Sequence, residues 1–172
     1  MSYYENIFKA AQTGTAEDVQ YFINEKNIDK NARDENENTP LHWSAFYANI
    51  KVVEYLISNE ANIHAKNKQG FTPLHMAAFN SVSATDRVEV AKMLISKGAN
   101  VNARTNEKNT PTALASDCNC EEMKNYLLSV SGSFGSGSLS GNNESSGIIG
   151  KVFLGVIIGI VVIFIIGMCS GC

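Results

Sequence analysis

The chain has no run of basic residues. Its 172 residues carry 14 lysines and arginines against 17 aspartates and glutamates, a net charge of −3. Capture of nucleic acid needs cations clustered against phosphates, so no nucleic-acid partner is expected. Cysteine is scarce and comes as two close pairs, Cys118/Cys120 and Cys169/Cys172. That pattern makes no disulfide framework, and a reducing cytosol suits the N-terminal part. The N-terminus lacks a charged stretch followed by an apolar one, which argues against a secretory signal. There is no glycine-rich phosphate loop after a strand, no GxSxG and no HExxH. Cys118 and Cys120 are too closely spaced for a zinc knuckle, and no second pair lies near them. His64 has no cysteine close in sequence. No enzyme, metal or cofactor is expected.

What the chain has is a period. Thr39-Pro40-Leu41-His42-Trp43-Ser44-Ala45 returns 33 residues later as Thr72-Pro73-Leu74-His75-Met76-Ala77-Ala78. A fixed period of this length marks a stack of small supersecondary units. Four units can be laid over one another, about residues 4–38, 39–71, 72–109 and 110–130. Ala11, Ala45, Ala78 and Ala115 are the small residues of the first helix in each. The second helices carry the triplets Val19/Phe22/Ile23, Val53/Leu56/Ile57, Ala91/Leu94/Ile95 and Met123/Tyr126/Leu127. Positions i, i+3 and i+4 share one helix face, so each helix has one apolar stripe. No unit covers its own stripe; stacking does.

Local chemistry sets the helix ends. Thr39 and Thr72 are placed to cap through the hydroxyl, with Pro40 and Pro73 at the first helical position, where a missing N–H costs little. Thr15 and Asp18 form a capping-box pattern, and Gly98 suits a left-handed helix stop. The third unit is longer than the period, 38 residues from Thr72 to Thr110, with the excess near Ser81–Asp86. Two readings stand for that excess, a tolerated surface loop and a contact loop.

The repeated heptapeptide, with Glu60-Ala61-Asn62-Ile63-His64-Ala65 and Gly98-Ala99-Asn100-Val101-Asn102-Ala103, resembles ankyrin repeats over about residues 4–130. The first unit lacks the heptapeptide, and the fourth reads Thr110-Pro111-Thr112-Ala113. The resemblance implies an all-α solenoid of helix-turn-helix units. It gives His42 and His75 a structural role, bonding within and between hairpin turns. It also implies a protein partner held by the hairpin tips, Glu35, Asn36, Lys68, Gln69, Phe71, Asn106 and Glu107, and by the inner-helix positions Phe46, Tyr47, Phe79 and Asn80. Phe46, Tyr47, Phe71 and Phe79 together would form an aromatic patch on the concave side; the other reading is that Phe46 and Phe79 pack across adjacent units.

Residues 131–147 are rich in glycine and serine and read as a flexible linker, with a reach of roughly 23 Å. Residues 148–168 are almost wholly aliphatic and span about 31 Å as a helix, against a hydrocarbon core of about 30 Å. They are expected to be a single-pass C-terminal transmembrane anchor in a lipid bilayer. Lys151, on the N-terminal side, places the repeats in the cytoplasm. Gly155 and Gly159 form a GxxxG pattern, which supports close helix pairing and a homodimer. Cys169 and Cys172 are candidates for acylation or for pairing at the far interface, while prenylation of the ending is discounted. The whole resembles the membrane-anchored ankyrin proteins of intracellular bacteria. The expected function is recruitment or sequestration of a protein at a membrane. The alternative is a self-associating membrane protein with the repeats as regulator.

Overall fold

The computed structural model describes residues 6–79, 84–118 and 120–131. The chain divides into two units, Met1–Ser136 and Gly137–Cys172. The second unit lies outside the described residues, and with it the expected transmembrane segment, Gly155, Gly159, Cys169 and Cys172; almost all of the linker and Asn80 do as well. Among the described residues every regular element is a helix and none is long and apolar enough to cross a membrane.

The helices come as pairs: α1 (Ile7–Thr13) with α2 (Ala16–Asn24), α3 (Pro40–Phe46) with α4 (Ile50–Ser58), α5 (Pro73–Phe79) with α6 (Ala84–Ser96), and α7 (Pro111–Asp117) with α8 (Glu121–Ser131). The first members pack in sequence, α1 on α3, α3 on α5, α5 on α7, and form an inner layer. The second members do the same as an outer layer, α2 on α4, α4 on α6, α6 on α8. The inner helices pack closely because Ala10, Ala11, Ala45, Ala77, Ala78 and Ala115 are fully buried. In the outer layer Val19, Val53, Leu56, Ala91, Leu94, Met123 and Leu127 are buried, while Ile23, Ile57, Ile95 and Tyr126 lie at the stripe's half-buried edge. The triplets omitted Val52, Val88 and Val90, which are also buried.

Capping follows two schemes. Thr15 and Asp18 make the expected reciprocal box, Thr15 N–H to Asp18 Oδ2 at 3.0 Å and Asp18 N–H to Thr15 Oγ1 at 3.3 Å. Thr110 caps through its hydroxyl, which accepts from Ala113 N–H at 3.2 Å. Thr39, which forms a capping box with His42, and Thr72 bring an imidazole into the cap. Their hydroxyls lie 2.9 Å from Nδ1 of His42 and His75, and the same Nδ1 accepts the threonine's own N–H at 3.1 Å. The imidazole serves the capping residue's own N–H, as Asp18 does for Thr15; at Thr110 the fourth position is alanine, which has no acceptor to offer.

Gly98 ends α6 with φ +97°, as its position implied. The extra length of the third unit is not all loop: Ala84, Thr85 and Asp86 belong to α6, which has 13 residues against nine in α2 and α4.

Candidate functional site

Between each helix pair and the next, the chain runs out and back as a finger. The turns of the three fingers are built alike. In the first, Asp34 N–H donates to Asn38 O at 3.0 Å, and Asp34 Oδ1 accepts from Asn36 N–H and Asn38 N–H at 2.9 and 2.8 Å. In the second, Asn67 Oδ1 accepts from Gln69 N–H and Phe71 N–H at 3.1 and 2.9 Å. In the third, Thr105 Oγ1 accepts from Asn109 N–H at 3.1 Å. This is the turn chemistry of short polar side chains folding back on their own backbone. Each turn needs one left-handed residue, supplied by Glu37 (φ 62°), Gly70 (φ +81°) and Lys108 (φ 67°).

The fingers are stitched to one another. Lys68 N–H donates to Asn36 O and Asn106 N–H to Gln69 O, both at 3.0 Å. Asn106 Nδ2 donates to Lys68 O at 2.9 Å, and Asn67 Nδ2 to Asn38 Oδ1 at 2.8 Å. Arg33 reaches the carbonyl of Lys66 and Lys66 that of Arg104, each at 3.0 Å. The histidines bind the fingers to the inner layer. A backbone N–H only donates and a carbonyl only accepts, so the neutral ring must carry its proton on Nε2. That proton goes to Phe71 O at 3.0 Å from His42 and to Asn109 O at 3.1 Å from His75. Both rings are fully buried, and that burial lowers each pKa to about 4.

Glu35, Asn36, Lys68, Asn106 and Glu107 are exposed at the tips, and Gln69 is half-buried. The aromatic residues separate. Phe46 and Phe71 are 6% and 7% exposed and belong to the core; of its two readings Phe46 follows packing, and Phe71, placed at a hairpin tip by the resemblance, is covered rather than an outward anchor. Phe46 meets Tyr47 edge to face at 5.2 Å between ring centres, and Phe71 meets Phe79 at 6.0 Å. Tyr47 and Phe79 stay half-buried and present one side outward. Asn80 lies outside the described residues.

Trp43 belongs to this surface more than the sequence suggested. Its Nε1–H donates to Asp34 Oδ2 at 2.8 Å, and its ring stacks on Tyr47 at 6.3 Å and 29°. The signal in the sequence was Asp34 itself, four residues before Asn38 in the register of Asn67 before Phe71. Among the described residues no group of three or more histidines, cysteines or carboxylates is placed to hold a metal ion.

A family model for ankyrin repeats, in three copies, matches residues 7–105 and again residues 67–135. Among relatives, a Caenorhabditis elegans homolog of transient receptor potential cation channel subfamily A member 1 is 36% identical over 72 residues, 42% of this chain and 6% of that protein. Human inversin is 46% identical over 46 residues, 27% of this chain and 4% of inversin. The 26S proteasome non-ATPase regulatory subunit 10 of Dictyostelium discoideum is 30% identical over 74 residues, 42% of this chain and 32% of that subunit. The chain therefore matches only a minor part of each relative's length.

Proposed function

The chain belongs to the ankyrin-repeat family, and on that premise we propose that it recruits or sequesters a protein partner at a membrane through its finger tips and the outward ends of its inner helices. Ankyrin repeats are, in general, non-enzymatic protein–protein interaction modules. The observation that carries the finer reading is a division of labour within the fingers. The backbone and the short polar side chains make the turns and the stitches. Meanwhile the side chains of Glu35, Asn36 and Lys68 take no hydrogen bond or ion pair within the described residues and stand exposed at the tips. Beside them, Trp43 and Tyr47 are held in a stacked pair. Rigid aromatic surface flanked by unpaired charge is what an interface core and rim require.

The tether is residues 148–168, whose aliphatic length fits a bilayer. A likeness to anchored ankyrin proteins of intracellular bacteria belongs to the same proposal. Crosslinking mass spectrometry of the full-length protein in its native membrane tests the reading. Crosslinks from Lys68 to one partner, lost in a Tyr47→Ala/Phe79→Ala variant that stays folded, are the expected result. Unchanged recovery of every specific partner would count against this surface, and release of the protein by a carbonate wash would count against the tether.

The spacing of Gly155 and Gly159 favours a second reading, self-association through the apolar segment. Substituting both glycines by isoleucine should abolish crosslinked dimers if that reading holds.

A further inference from the structure

The first finger carries a charge and a ring that its fold does not ask for. The turn residues in register are Asp34, Asn67 and Thr105, which donate their N–H groups to the carbonyls of Asn38, Phe71 and Asn109, each at 3.0 Å. Neutral Asn67 and Thr105 also hold their turns with a side-chain oxygen, as Asp34 does. The turn therefore needs a short polar acceptor and no negative charge. The inner-helix position four residues after Thr39, Thr72 and Thr110 is Trp43, Met76 and Leu114. Met76 and Leu114 are 8% and 4% exposed and serve as core. Trp43 is half-buried, and its Nε1–H donates to Asp34 Oδ2 at 2.8 Å. An aspartate joined to a tryptophan is an addition that the other two fingers do without.

The pair has a definite electrostatic character. An indole face attracts a cation better than the rings of tyrosine and phenylalanine do. A carboxylate that accepts the indole N–H polarises the ring and leaves its face more negative. The ring is also fixed in place. Asp34 holds one edge, Tyr47 stacks on it at 6.3 Å and 29°, and Phe46 meets it edge to face at 6.3 Å and 85°. A ring so held has little freedom left to lose on binding. Asp34 is saturated: Oδ1 accepts from the N–H groups of Asn36 and Asn38, and Oδ2 from Trp43 and from Asn38 Nδ2. It acts through its charge. Glu37 is paired with Arg33 at 3.0 Å, and Glu35, next to Asp34, is exposed. Charge changes sign along the fingers. Residues 33–37 carry Arg33 against Asp34, Glu35 and Glu37, whereas residues 66–70 carry Lys66 and Lys68 and no carboxylate. In the third finger Arg104 and Lys108 stand against Glu107. A cation is favoured at the first finger. Within the described residues Lys26 and Lys92 lie over the rings of Tyr21 and Tyr126, away from Trp43.

We propose that Trp43, backed by Asp34 and flanked by Glu35, receives an arginine side chain of the protein partner, with the guanidinium flat on the indole. This rests on the reading that the finger surface binds a protein, and it names the chemistry of what is bound. A guanidinium fits better than an ammonium because it is planar and weakly hydrated and stacks on aromatic faces. Its N–H edge stays free for a carboxylate such as Glu35.

The experiment uses the full-length chain in detergent at physiological salt. The probe is a capped glycine pentapeptide with arginine, lysine, citrulline or norleucine at its centre. Trp43 is the chain's single tryptophan, so an arginine stacked on an indole reports this position alone. Its δ protons move upfield in the ring current, and the Trp43 Nε1–H signal shifts in step. The arginine peptide should bind, lysine should bind about two- to fivefold more weakly, and citrulline and norleucine should not bind. Asp34→Asn, which copies Asn67 and so keeps the turn, should weaken arginine binding by about two- to fivefold, and exposed Glu35→Gln likewise. Trp43→Met, which copies Met76, should abolish the upfield shift. Unchanged circular dichroism confirms that each variant is folded. The proposal is overturned if citrulline or lysine binds as tightly as arginine, or if the upfield shift survives Trp43→Met. It is overturned equally if Asp34→Asn and Glu35→Gln bind arginine like the parent. In the native membrane, crosslinks that are lost in Tyr47→Ala/Phe79→Ala but persist in Asp34→Asn/Trp43→Met would leave the surface standing and remove the arginine from it. Crosslinks that persist in both would remove the surface and the proposal together.

Discussion

His42 and His75 do the same work twice, and their chemistry gives the fold a pH dependence. Each ring must stay neutral, because its Nδ1 faces an N–H that only donates. Their folded pKa of about 4 lies below the ordinary 6.5, so between those values the unfolded chain binds more protons. Stability is therefore complete above pH 6.5 and declines as pH falls through that window, levelling below about 4. The loss at the bottom is on the order of 3 kcal/mol for each ring. Urea midpoints of residues 1–131 at pH 7 and pH 5 check this, and His42→Ala should already be destabilised at pH 7. Leaving Phe71 O and Thr39 N–H buried without the ring costs about 2–4 kcal/mol. A midpoint independent of pH would mean that the rings are solvated.

At the scale of elements, the stops of the outer helices are where the sequence is least optimised. The left-handed position after α6 is Gly98, but after α4 it is Glu60 (φ 59°) and after α2 Asn27 (φ 54°). A side chain there costs about 1 kcal/mol, which glycine avoids. Glu60→Gly should raise stability by up to about 1 kcal/mol, and Gly98→Ala should lower it by a similar amount even though a Cβ has open space there. Thermal melts of the two variants decide it. Gly70 is tighter: an added Cβ would sit 2.5 Å from Asn106 Oδ1 and 2.8 Å from its backbone N. Gly70→Ala should therefore unstitch the second finger from the third, seen as faster amide exchange at Asn106 with α3 and α4 unchanged. The helix pairs themselves were legible, because threonine-proline starts and i, i+3, i+4 stripes are local signals. The bond from the N–H of Thr39 and Thr72 to an imidazole was not, since it depends on where a ring four positions into the motif turns. Nor was the burial of Phe71, and for Phe46 packing was only one of two readings. Period alone puts a residue on a face, and whether the next unit covers that face is a property of the stack. The pairing of Trp43 with Asp34 was hidden for the same reason: nine residues separate them, and only the turn of the first finger joins them.

At the scale of the molecule, each pair touches only its neighbours, so stability is a sum along one dimension. A cavity in the middle and one at the end should therefore behave differently. Leu74→Ala and Leu127→Ala each remove a fully buried side chain at a local cost of about 2–5 kcal/mol. The first should lower the stability of the whole stack. The second should free α7 and α8 alone to exchange, with α1–α4 still protected. The candidate partner surface inherits part of its rigidity from this stack, since bonds within each finger shape its turn and bonds between units fix the fingers to one another. The most direct test is urea unfolding of residues 1–131, followed at once by far-UV circular dichroism and by the fluorescence of Trp43, the chain's single tryptophan. If stacked pairs carry the fingers, helix loss and the release of Trp43 from Asp34 and Tyr47 coincide in one cooperative transition. Trp43 fluorescence that is already that of an exposed indole in the absence of urea, or a helix signal that melts without a transition, would contradict it.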